Sequence, residues 1–325
     1  MGAASRVRPE PDPRTAPTQP ALPAADEVSP EGALPLLPGD YSLRERVHVS
    51  SSSELWRAVD ADGHAVAIKL GRSATADASL SFTAEARALA TLTHRSIVRL
   101  LGHGETSDQR PFLALEWLEG TTLRALLAER GAGIPPSDAI RLLLPIASAL
   151  VLAHDRGFVH GAVTPDSVFV VVRKDEHVLP KLVDFSNASR AAVTPPRTPA
   201  NAPTPRQAEP EGCAQSPKVD VQGFASTIFF AITGRTPFAP SSSPGSSFVP
   251  RTGLSERDAA LWRVLAEGLA PPPLGRFARV QDFARELAVW ADLRGLDADI
   301  TGSPISARWL RAAADPSPSG NKMKP

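Results

Sequence analysis

The chain contains the run Ala65-Val66-Ala67-Ile68-Lys69-Leu70, a short apolar stretch with one lysine near its end, which predicts a β-strand. The preceding Asp60-Ala-Asp-Gly-His is a turn signal, so this strand is expected to form a hairpin with the strand before it. Residues 80–93 then change to a helical spacing that places Glu85 among the apolar residues of one face. Lys69 and Glu85 thus stand among apolar residues, one in a predicted strand and the other in a predicted helix.

The rest of the chain predicts two unequal lobes. Before Gly120, runs rich in β-branched and aromatic residues predict strands near residues 41–47, 55–59, 65–70, 97–101 and 111–117. After Gly120, apolar residues spaced three or four apart predict helices near residues 121–130, 137–156, 219–233, 256–268 and 280–294. Short strands near residues 167–172 and 181–184 interrupt these helices. The pattern predicts an α+β fold with a small sheet lobe and a larger helical lobe.

Several motifs resemble those of the eukaryotic-like Ser/Thr protein kinases that bacteria also encode. Val66-Ala-Ile-Lys69, followed by Glu85, resembles the lysine–glutamate pair that holds the ATP phosphates in that family. Leu115-Glu-Trp-Leu-Glu-Gly120 resembles the hinge, whose backbone binds adenine. Val183-Asp-Phe185 resembles the D-F-G motif, whose aspartate binds Mg²⁺.

The order and spacing of these motifs extend the resemblance along most of the chain. Asp220-Val221 and Thr233-Gly-Arg-Thr-Pro-Phe238 resemble helix F of the family and its exit, and the match runs from about residue 40 to residue 292. The resemblance implies a bilobal protein-kinase-like fold. Its N-lobe is a small antiparallel β-sheet with helix C, and its C-lobe is larger and mainly helical.

Proline content separates the expected domain from its flanks. Prolines number 33 in 325 residues, about twice the usual share, and many lie in residues 1–38 and 194–217. A chain so poor in aromatic and β-branched residues cannot bury enough surface to offset its ordering entropy. We therefore expect a disordered leader, a kinase-like domain divided into N-lobe, hinge and C-lobe, and a disordered tail, with boundaries at 1–38, 39–310 (39–116, 116–120 and 121–310) and 311–325.

The resemblance also implies a nucleotide site for ATP with Mg²⁺. Its expected residues are Lys69, Glu85, Ala67, Glu116, Leu118, Phe169 and Asp184, of which Asp184 is the expected metal ligand. Phe169 replaces a leucine beneath the adenine ring, where it either packs under the base or fills the pocket. Two interpretations stay open for the charged residues. In the first, these residues retain residual nucleotide binding. In the second, Lys69 and Glu85 persist as an ion pair that bridges the lobes, and Asp184 accepts nearby backbone N–H groups.

The catalytic loop departs from the family pattern. Where the family has H-R-D-L-K-P-x-N, this sequence has His160-Gly-Ala-Val-Thr-Pro-Asp-Ser167. Ala162 replaces the aspartate that accepts the substrate proton, Thr164 replaces a lysine, and Ser167 replaces a metal-binding asparagine. General base catalysis alone is worth about 10²–10⁴-fold in rate, so we assign no catalytic residue.

The phosphate-binding loop departs as well. Its three glycine positions hold His48, Ser50 and Ser53, and the third residue of the D-F-G triplet is Ser186. Glycine allows the backbone to approach a phosphate closely, whereas serine can still donate a hydroxyl hydrogen bond. We therefore expect weak ATP and Mg²⁺ binding, or none.

Two further groups of residues follow from the resemblance. Asp220 is expected to brace the backbone of the catalytic loop, and His160 to join the apolar spine. Glu211 is expected to pair with Arg276. Thr194, Thr198 and Thr204 each precede a proline and are either candidate phosphorylation sites or part of a flexible solvated loop.

Composition limits the classes of partner and the compartment. Lys plus Arg and Asp plus Glu number 35 each, and this balance argues against a nucleic acid partner. One cysteine excludes an intramolecular disulfide and a multi-cysteine metal site. The longest apolar stretch, from Leu142 to Ala153, contains Pro145 and Ser148 and is too short for a membrane span. A cytoplasmic protein without membrane contact is expected.

The sequence therefore predicts a pseudokinase that acts as a signalling or regulatory scaffold for a protein partner, such as another kinase or signalling protein. One alternative is a weakly active or unconventional ATP-dependent Ser/Thr protein kinase that uses Asp184 and a relocated acid. A second is a small-molecule phosphotransferase similar to aminoglycoside kinases, whose loop often begins His-Gly-Asp. His160-Gly161 fits that start, and Ala162 does not.

Overall fold

The computed structural model describes residues 37–39, 41–172, 177–190, 216–237, 256–270 and 277–310. Several predictions lie outside these residues: the disorder of the leader up to residue 36 and of the tail from residue 311, the state of Thr194, Thr198 and Thr204, and the Glu211–Arg276 pair.

Five antiparallel strands form the N-lobe sheet in the spatial order β1-β2-β3-β5-β4. They are β1 Ser42–Val49, β2 Ser53–Val59, β3 Ala65–Gly71, β4 Leu100–Glu105 and β5 Pro111–Glu116. The predicted hairpin joins β2 to β3, and its turn is closed by Asp60 Oδ1, which accepts the N–H groups of Asp62 and His64 at 3.0 and 2.8 Å.

The prediction of a strand at residues 97–101 is wrong about the residue at which the strand begins. β4 begins at Leu100, and Ile97 instead forms an isolated parallel bridge with Leu182. The reason is competition between two pairing partners, since the same apolar run contacts a C-lobe strand before it joins the sheet.

Helix α1, Ala76–Thr91, begins at Thr75, whose side chain accepts the N–H of Ala78. The predicted buried face is confirmed, because Phe82, Glu85, Ala86 and Leu89 are all buried. The helix packs on the face of the sheet that carries the side chain of Lys69.

A second apolar cluster covers the opposite face of the sheet. Alternate β3 residues point into it, as the two-residue period of a strand requires. Its buried members are Leu37, Trp56, Ala58, Val66, Ile68, Leu70, Phe112 and Ala114. Leu37 is only 8% exposed, although the predicted boundary assigned it to the leader. The packed domain therefore includes Leu37.

The C-lobe contains α2 Leu123–Arg130, α3 Pro136–Asp155, α4 Lys218–Thr233, α5 Glu256–Leu269 and α6 Val280–Asp292. A three-stranded sheet in the order β6-β8-β9 and a two-stranded β7–β10 ribbon complete it; these strands are β6 Gly120–Thr122, β7 Phe158–Val159, β8 Val168–Val172, β9 Val178–Leu182 and β10 Ser189–Arg190. The last described element is a π-helical turn at Ser306–Leu310.

Among the described residues, α3 alone is long and apolar enough to cross a membrane, judged by length and composition. It is nevertheless a core helix, because Ile140, Leu143, Ile146 and Leu150 are each at most 1% exposed inside the lobe. The small sheet lobe and the helical lobe agree with the predicted α+β bilobal architecture.

Candidate functional site

Lys69 lies at the centre of an ion triad between the two lobes. Its Nζ donates to Glu85 Oε2 and Oε1 at 2.8 and 3.1 Å, and to Asp184 Oδ1 at 2.8 Å. The Lys69 and Glu85 side chains are 14% and 2% exposed, whereas that of Asp184 is 55% exposed. β3, α1 and the segment after β9 each supply one member, so the predicted pair is present and Asp184 joins it.

The pKa values in this triad reflect one ammonium group facing two carboxylates. Burial raises the pKa of Glu85 above its usual value, and Lys69 offsets part of this effect. For Lys69, burial lowers the pKa, but the carboxylates of Glu85 and Asp184 outweigh burial and raise it. For Asp184, burial acts to raise the pKa, but Lys69 and a hydrogen bond from Ser186 hold it below the usual value. Lys69 therefore stays protonated and Asp184 ionised at neutral pH.

The residues beside Asp184 are tightly packed. Asp184 itself adopts a left-handed backbone conformation, with φ of 61°, which is uncommon for a residue other than glycine. Phe185 is fully buried, and its ring lies 4.6 Å from the ring of His160, centroid to centroid, in an edge-to-face arrangement. His160 thus occupies the apolar spine, as expected.

Asp220, on α4, holds the start of the catalytic loop through its side chain. Its Oδ2 accepts the N–H of His160 at 2.9 Å, and its Oδ1 accepts the N–H of Gly161 at 2.8 Å. His154 Nε2 lies 2.7 Å from the same Oδ2. Asp220 is fully buried, so this set of bonds satisfies a charge that would otherwise be costly. The predicted brace is confirmed.

His160 is neutral in this setting. Burial lowers its pKa below the usual value despite the nearby Asp220 carboxylate. Nε2 lies 3.2 Å from Val183 O, which can only accept, while Nδ1 accepts the N–H of Ala162 at 3.3 Å. The proton therefore lies on Nε2, and the ring serves as packing and as a backbone cap.

The catalytic loop closes on itself beyond Ala162. Ser167 Oγ donates to Thr164 O at 2.9 Å and accepts the N–H of Thr164 at 2.9 Å. The hydroxyl of Thr164 in turn accepts the N–H of Ser167 at 3.3 Å. Since the Ser167 hydroxyl has only one proton to donate, that proton is committed within the loop.

Asp166, which is the carboxylate of residues 160–167, is paired with α2. Arg124 Nε donates to Asp166 Oδ2 at 2.7 Å, and the Arg124 guanidinium also lies 4.9 Å from the centre of the Phe230 ring. Both charged side chains are partly exposed. Asp166 stands at the variable position of the family pattern H-R-D-L-K-P-x-N, and no sequence pattern indicated this partner.

The serines that replace the glycine loop form a compact turn between β1 and β2. Ser50 Oγ donates to Ser53 O at 3.0 Å and accepts the N–H of Ser53 at 3.0 Å. Arg72 reaches the same turn from beyond β3, donating from Nη1 to Ser50 O at 3.2 Å and from its N–H to Ser52 O at 3.0 Å. The hydroxyl of Ser50 is therefore used within the turn.

Glu116 lies at the end of β5, where the hinge begins, and its carboxylate is hydrogen-bonded to Lys181 and to the backbone of Arg99. Lys181 Nζ donates to Glu116 Oε1 at 2.6 Å and to Ile97 O at 3.2 Å, and Arg99 N–H donates to the same Oε1 at 2.8 Å. Lys181 is 8% exposed, which for a lysine requires a partner of this kind. Sequence reasoning missed Lys181, although a lysine between Pro180 and Leu182 in an apolar strand is a usable signal.

The remaining predicted site residues, Ala67, Leu118 and Phe169, lie in the core, the hinge and strand β8. Ala67 is buried in the main apolar core, and Leu118 packs against that core from the hinge. Phe169 is half-buried in β8, opposite Thr122 of β6 and Lys181 of β9. The structure thus brings Lys69, Glu85 and Asp184 into direct contact, whereas the other four predicted residues enter no contact with that triad among the described hydrogen bonds and ion pairs.

Comparison with known sequences identifies a family that this chain matches. Residues 49–252 match the family model described as the protein kinase domain. The chain is 32% identical over 216 residues to the serine/threonine-protein kinase PknL of Mycobacterium tuberculosis, which covers 64% of this chain and 53% of PknL. It is 31% identical over 287 residues to the serine/threonine-protein kinase PkaA of Streptomyces coelicolor, which covers 80% of this chain and 51% of PkaA. The chain thus spans about half the length of these relatives.

Comparison with solved structures supports the fold. The crystal structure of the PknI kinase domain of M. tuberculosis superposes with a TM-score of 0.59 at 23% identity, over 79% of this chain and 99% of that one. At this identity the likeness establishes the architecture alone.

Proposed function

Because the chain belongs to the protein kinase family, we propose that it is a pseudokinase, a kinase-fold domain that binds a protein partner without transferring phosphoryl groups. The catalytic loop supports this proposal most directly. Asp220 holds its start in place, yet Ala162 presents a methyl group at the position of the family's general base. Ser167 and Asp166 are each committed to other partners. The catalytic loop is thus held in position, but it presents no base that is free to accept a proton from a substrate.

We further propose that nucleotide binding is weak or absent. The protein kinase family uses ATP and Mg²⁺, and proteins hold Mg²⁺ with one or two carboxylates, substrate phosphates and waters. Here Asp184 is the single carboxylate of the two expected metal positions, and it is already paired with Lys69. The second position, Ser167, already accepts the N–H of Thr164 on its hydroxyl oxygen at 2.9 Å, which leaves one lone pair for a metal ion. This donor set is poorer than the aspartate and asparagine of the family, and the bonds within the Ser50–Ser53 turn add to the argument against strong phosphate binding.

One alternative keeps the enzymatic class of the relatives. The intact contact between Lys69 and Glu85, together with retention of Asp184, favours a weakly active or unconventional ATP-dependent Ser/Thr kinase. Such an enzyme needs an acid other than Asp166, since that carboxylate is held by Arg124. The aminoglycoside-kinase alternative has no comparable support, because the two relatives described above carry the names of serine/threonine-protein kinases.

The proposed partner is a protein, such as another kinase or a signalling protein, and the proposed compartment is the cytoplasm. Equal numbers of acidic and basic residues support a partner other than a nucleic acid.

A phosphotransfer assay on the full chain tests the proposal. Purified protein is incubated with γ-labelled ATP and either Mg²⁺ or Mn²⁺, with and without a generic protein acceptor. Lys69→Ala serves as the matched control, because it removes the residue that every kinase mechanism of this family requires. We expect equal label in both proteins. Incorporation by the wild type that disappears in Lys69→Ala would establish the kinase alternative.

A further inference from the structure

Residues 92–99 form the connector between α1 and β4, and the C-lobe holds this connector along its length. The N–H of Leu182 in β9 donates to Ser96 O at 2.8 Å, and the N–H of Val98 donates to Leu182 O at 3.0 Å. The ammonium group of Lys181 adds the bond to Ile97 O described above. The connector is thus an N-lobe segment whose position is set by the C-lobe.

His94 fixes the first part of the connector to α3. The N–H of Ser96 donates to His94 Nδ1 at 3.0 Å, so the proton of the neutral ring lies on Nε2. Nε2 lies 3.2 Å from Ser148 Oγ and therefore donates to it. Ser148, in the middle of α3, thus serves as the C-lobe acceptor for the connector.

The same hydroxyl receives a second donor from the C-terminal turn. Arg308 Nη2 donates to Ser148 Oγ at 2.8 Å. The turn, Ser306–Leu310, is seated by two buried side chains, Ile305 and Trp309, both of which belong to the main core. Among the described hydrogen bonds, Ser148 Oγ therefore accepts both from the C-terminal turn and from the connector.

We propose that the C-terminal turn is a conformational clamp on the connector, with Arg308 as its positioning residue. A hydroxyl oxygen that accepts from a guanidinium on one side and an imidazole on the other has its orientation fixed by both donors. Loss of the guanidinium frees the hydroxyl to rotate and weakens the bond that holds His94.

The clamp reaches the ion triad through α1. The last turn of this helix is tied to the C-lobe by Arg156, whose Nη1 donates to Thr91 O at 3.3 Å. Glu85 lies less than two turns before Thr91 on the same helix. A loosened connector therefore gives α1, and with it the Glu85 carboxylate, more freedom relative to Lys69. This inference concerns conformation and goes beyond the proposed function, since it holds whether or not the domain transfers phosphoryl groups.

Hydrogen exchange measured by mass spectrometry on the full chain tests the clamp. In Arg308→Ala, we expect amide exchange of residues 94–99 to rise about tenfold, as the loss of one hydrogen bond to a charged group predicts. Arg279→Ala is the matched control, because it removes an equal charge from an exposed pair with Asp282. It should leave the exchange of residues 94–99 at the wild-type rate.

Two further results decide the proposal. If exchange rises only within residues 305–310, or rises equally in Arg279→Ala, the clamp does not exist. Ser148→Ala removes the shared acceptor and should raise exchange of residues 94–99 at least as much as Arg308→Ala does, and the double variant should show no increase beyond that of Ser148→Ala. Additive increases would show that Arg308 acts elsewhere. Should Arg308→Ala fail to fold, Arg308→Lys, which keeps the charge and loses the planar fork, takes its place and should give a smaller rise in the same segment.

Discussion

At the scale of single residues, the Lys69 ammonium group joins a carboxylate of α1 to the carboxylate that follows β9. It faces the buried carboxylate of Glu85 and the half-exposed carboxylate of Asp184, with Nζ–O distances of 2.8 Å to both. A buried ion pair adds little to stability when complete, but removal of one partner leaves the other charge buried and uncompensated. The two carboxylates should therefore respond very differently to mutation.

Lys69→Met should lower the free energy of unfolding by about 3 kcal/mol, because it strands the Glu85 carboxylate in an apolar setting. Urea unfolding measures this loss. Asp184→Asn is the control and should cost at most about 1 kcal/mol, since partly exposed ion pairs contribute little. The double variant Lys69→Met/Glu85→Leu should recover most of the stability. A double variant as unstable as Lys69→Met would show that the stranded charge is not the cause.

His94 gives the domain a stability that depends on pH. Burial lowers its pKa from 6.5 to about 4, with further contributions from the positive charges of Arg308, Arg95 and Lys181. As the pH falls, His94 is therefore protonated near pH 6.5 in the unfolded chain but only near pH 4 in the folded protein. The stabilisation is complete above pH 6.5 and is lost progressively as the pH falls toward 4.

His94→Gln should remove this contribution and flatten the decline of unfolding free energy between pH 6.5 and 4. The comparison must be made as a difference from the wild type. Burial also lowers the pKa of His160, so protonation of that residue also destabilises the folded protein as the pH falls. Denaturant unfolding at half-unit pH steps supplies the two curves. Parallel curves across this range would exclude His94 as the titrating group.

At the scale of elements, helices were easier to predict than strand ends. The apolar period of α1, α3 and α6 placed them within a few residues of their observed bounds, because each buries a continuous stripe. β4 was misplaced because Ile97 pairs with Leu182, a partner that no local pattern reveals. For the site, the Lys69–Glu85 contact followed from the resemblance to protein kinases, whereas the bonds of Lys181 and Arg124 depend on tertiary contacts that no sequence pattern indicated.

The contact between α4 and the catalytic loop predicts an unusual glycine effect. A Cβ at Gly223 would lie 2.6 Å from the carbonyl oxygen of Val163, so Gly223→Ala should be destabilising by about 1–3 kcal/mol. Helix propensity alone predicts the opposite sign, because alanine is favoured over glycine in a helix by about 1 kcal/mol. Thermal unfolding distinguishes the two. Val219→Ala, at a 38% exposed position of the same helix, is the control and should stay within about 0.5 kcal/mol.

The second apolar cluster predicts that Leu37 is part of the domain. Leu37→Ala should lower the free energy of unfolding by about 2–4 kcal/mol, because it leaves a gap beside Trp56 and Phe112 of the buried cluster. Leu293→Ala makes the same chemical change at an 80% exposed position and should stay within about 0.5 kcal/mol. Equal effects of the two substitutions would mean that residue 37 lies outside the packed domain in solution.

At the scale of the whole molecule, separate sets of contacts hold the kinase fold and the polar side chains of the site. The frame depends on long-range packing around α3 and on the Asp220 bonds, and both are present. The chemistry depends on a few polar side chains, and most of those that remain are bonded to each other. Under the proposed function, the domain keeps its surface for a protein partner without a nucleotide, since both sets of contacts are made within the chain.

This separation predicts how the full chain responds to nucleotide. A ligand that binds only the folded state stabilises it by RT ln(1 + [L]/Kd), so 1 mM ATP with a Kd above about 10 mM adds less than about 0.1 kcal/mol. We therefore expect no measurable rise in melting temperature with 1 mM ATP, with or without Mg²⁺. Asp184→Ala, which removes the single carboxylate of the two expected metal positions, should respond as the wild type does. A Mg²⁺-dependent rise in the wild type that is lost in Asp184→Ala would instead establish a working metal–nucleotide site. In that case the Lys69–Asp184 contact would be the resting state of a binding site, because a bound metal ion would have to compete with Lys69 for the same carboxylate.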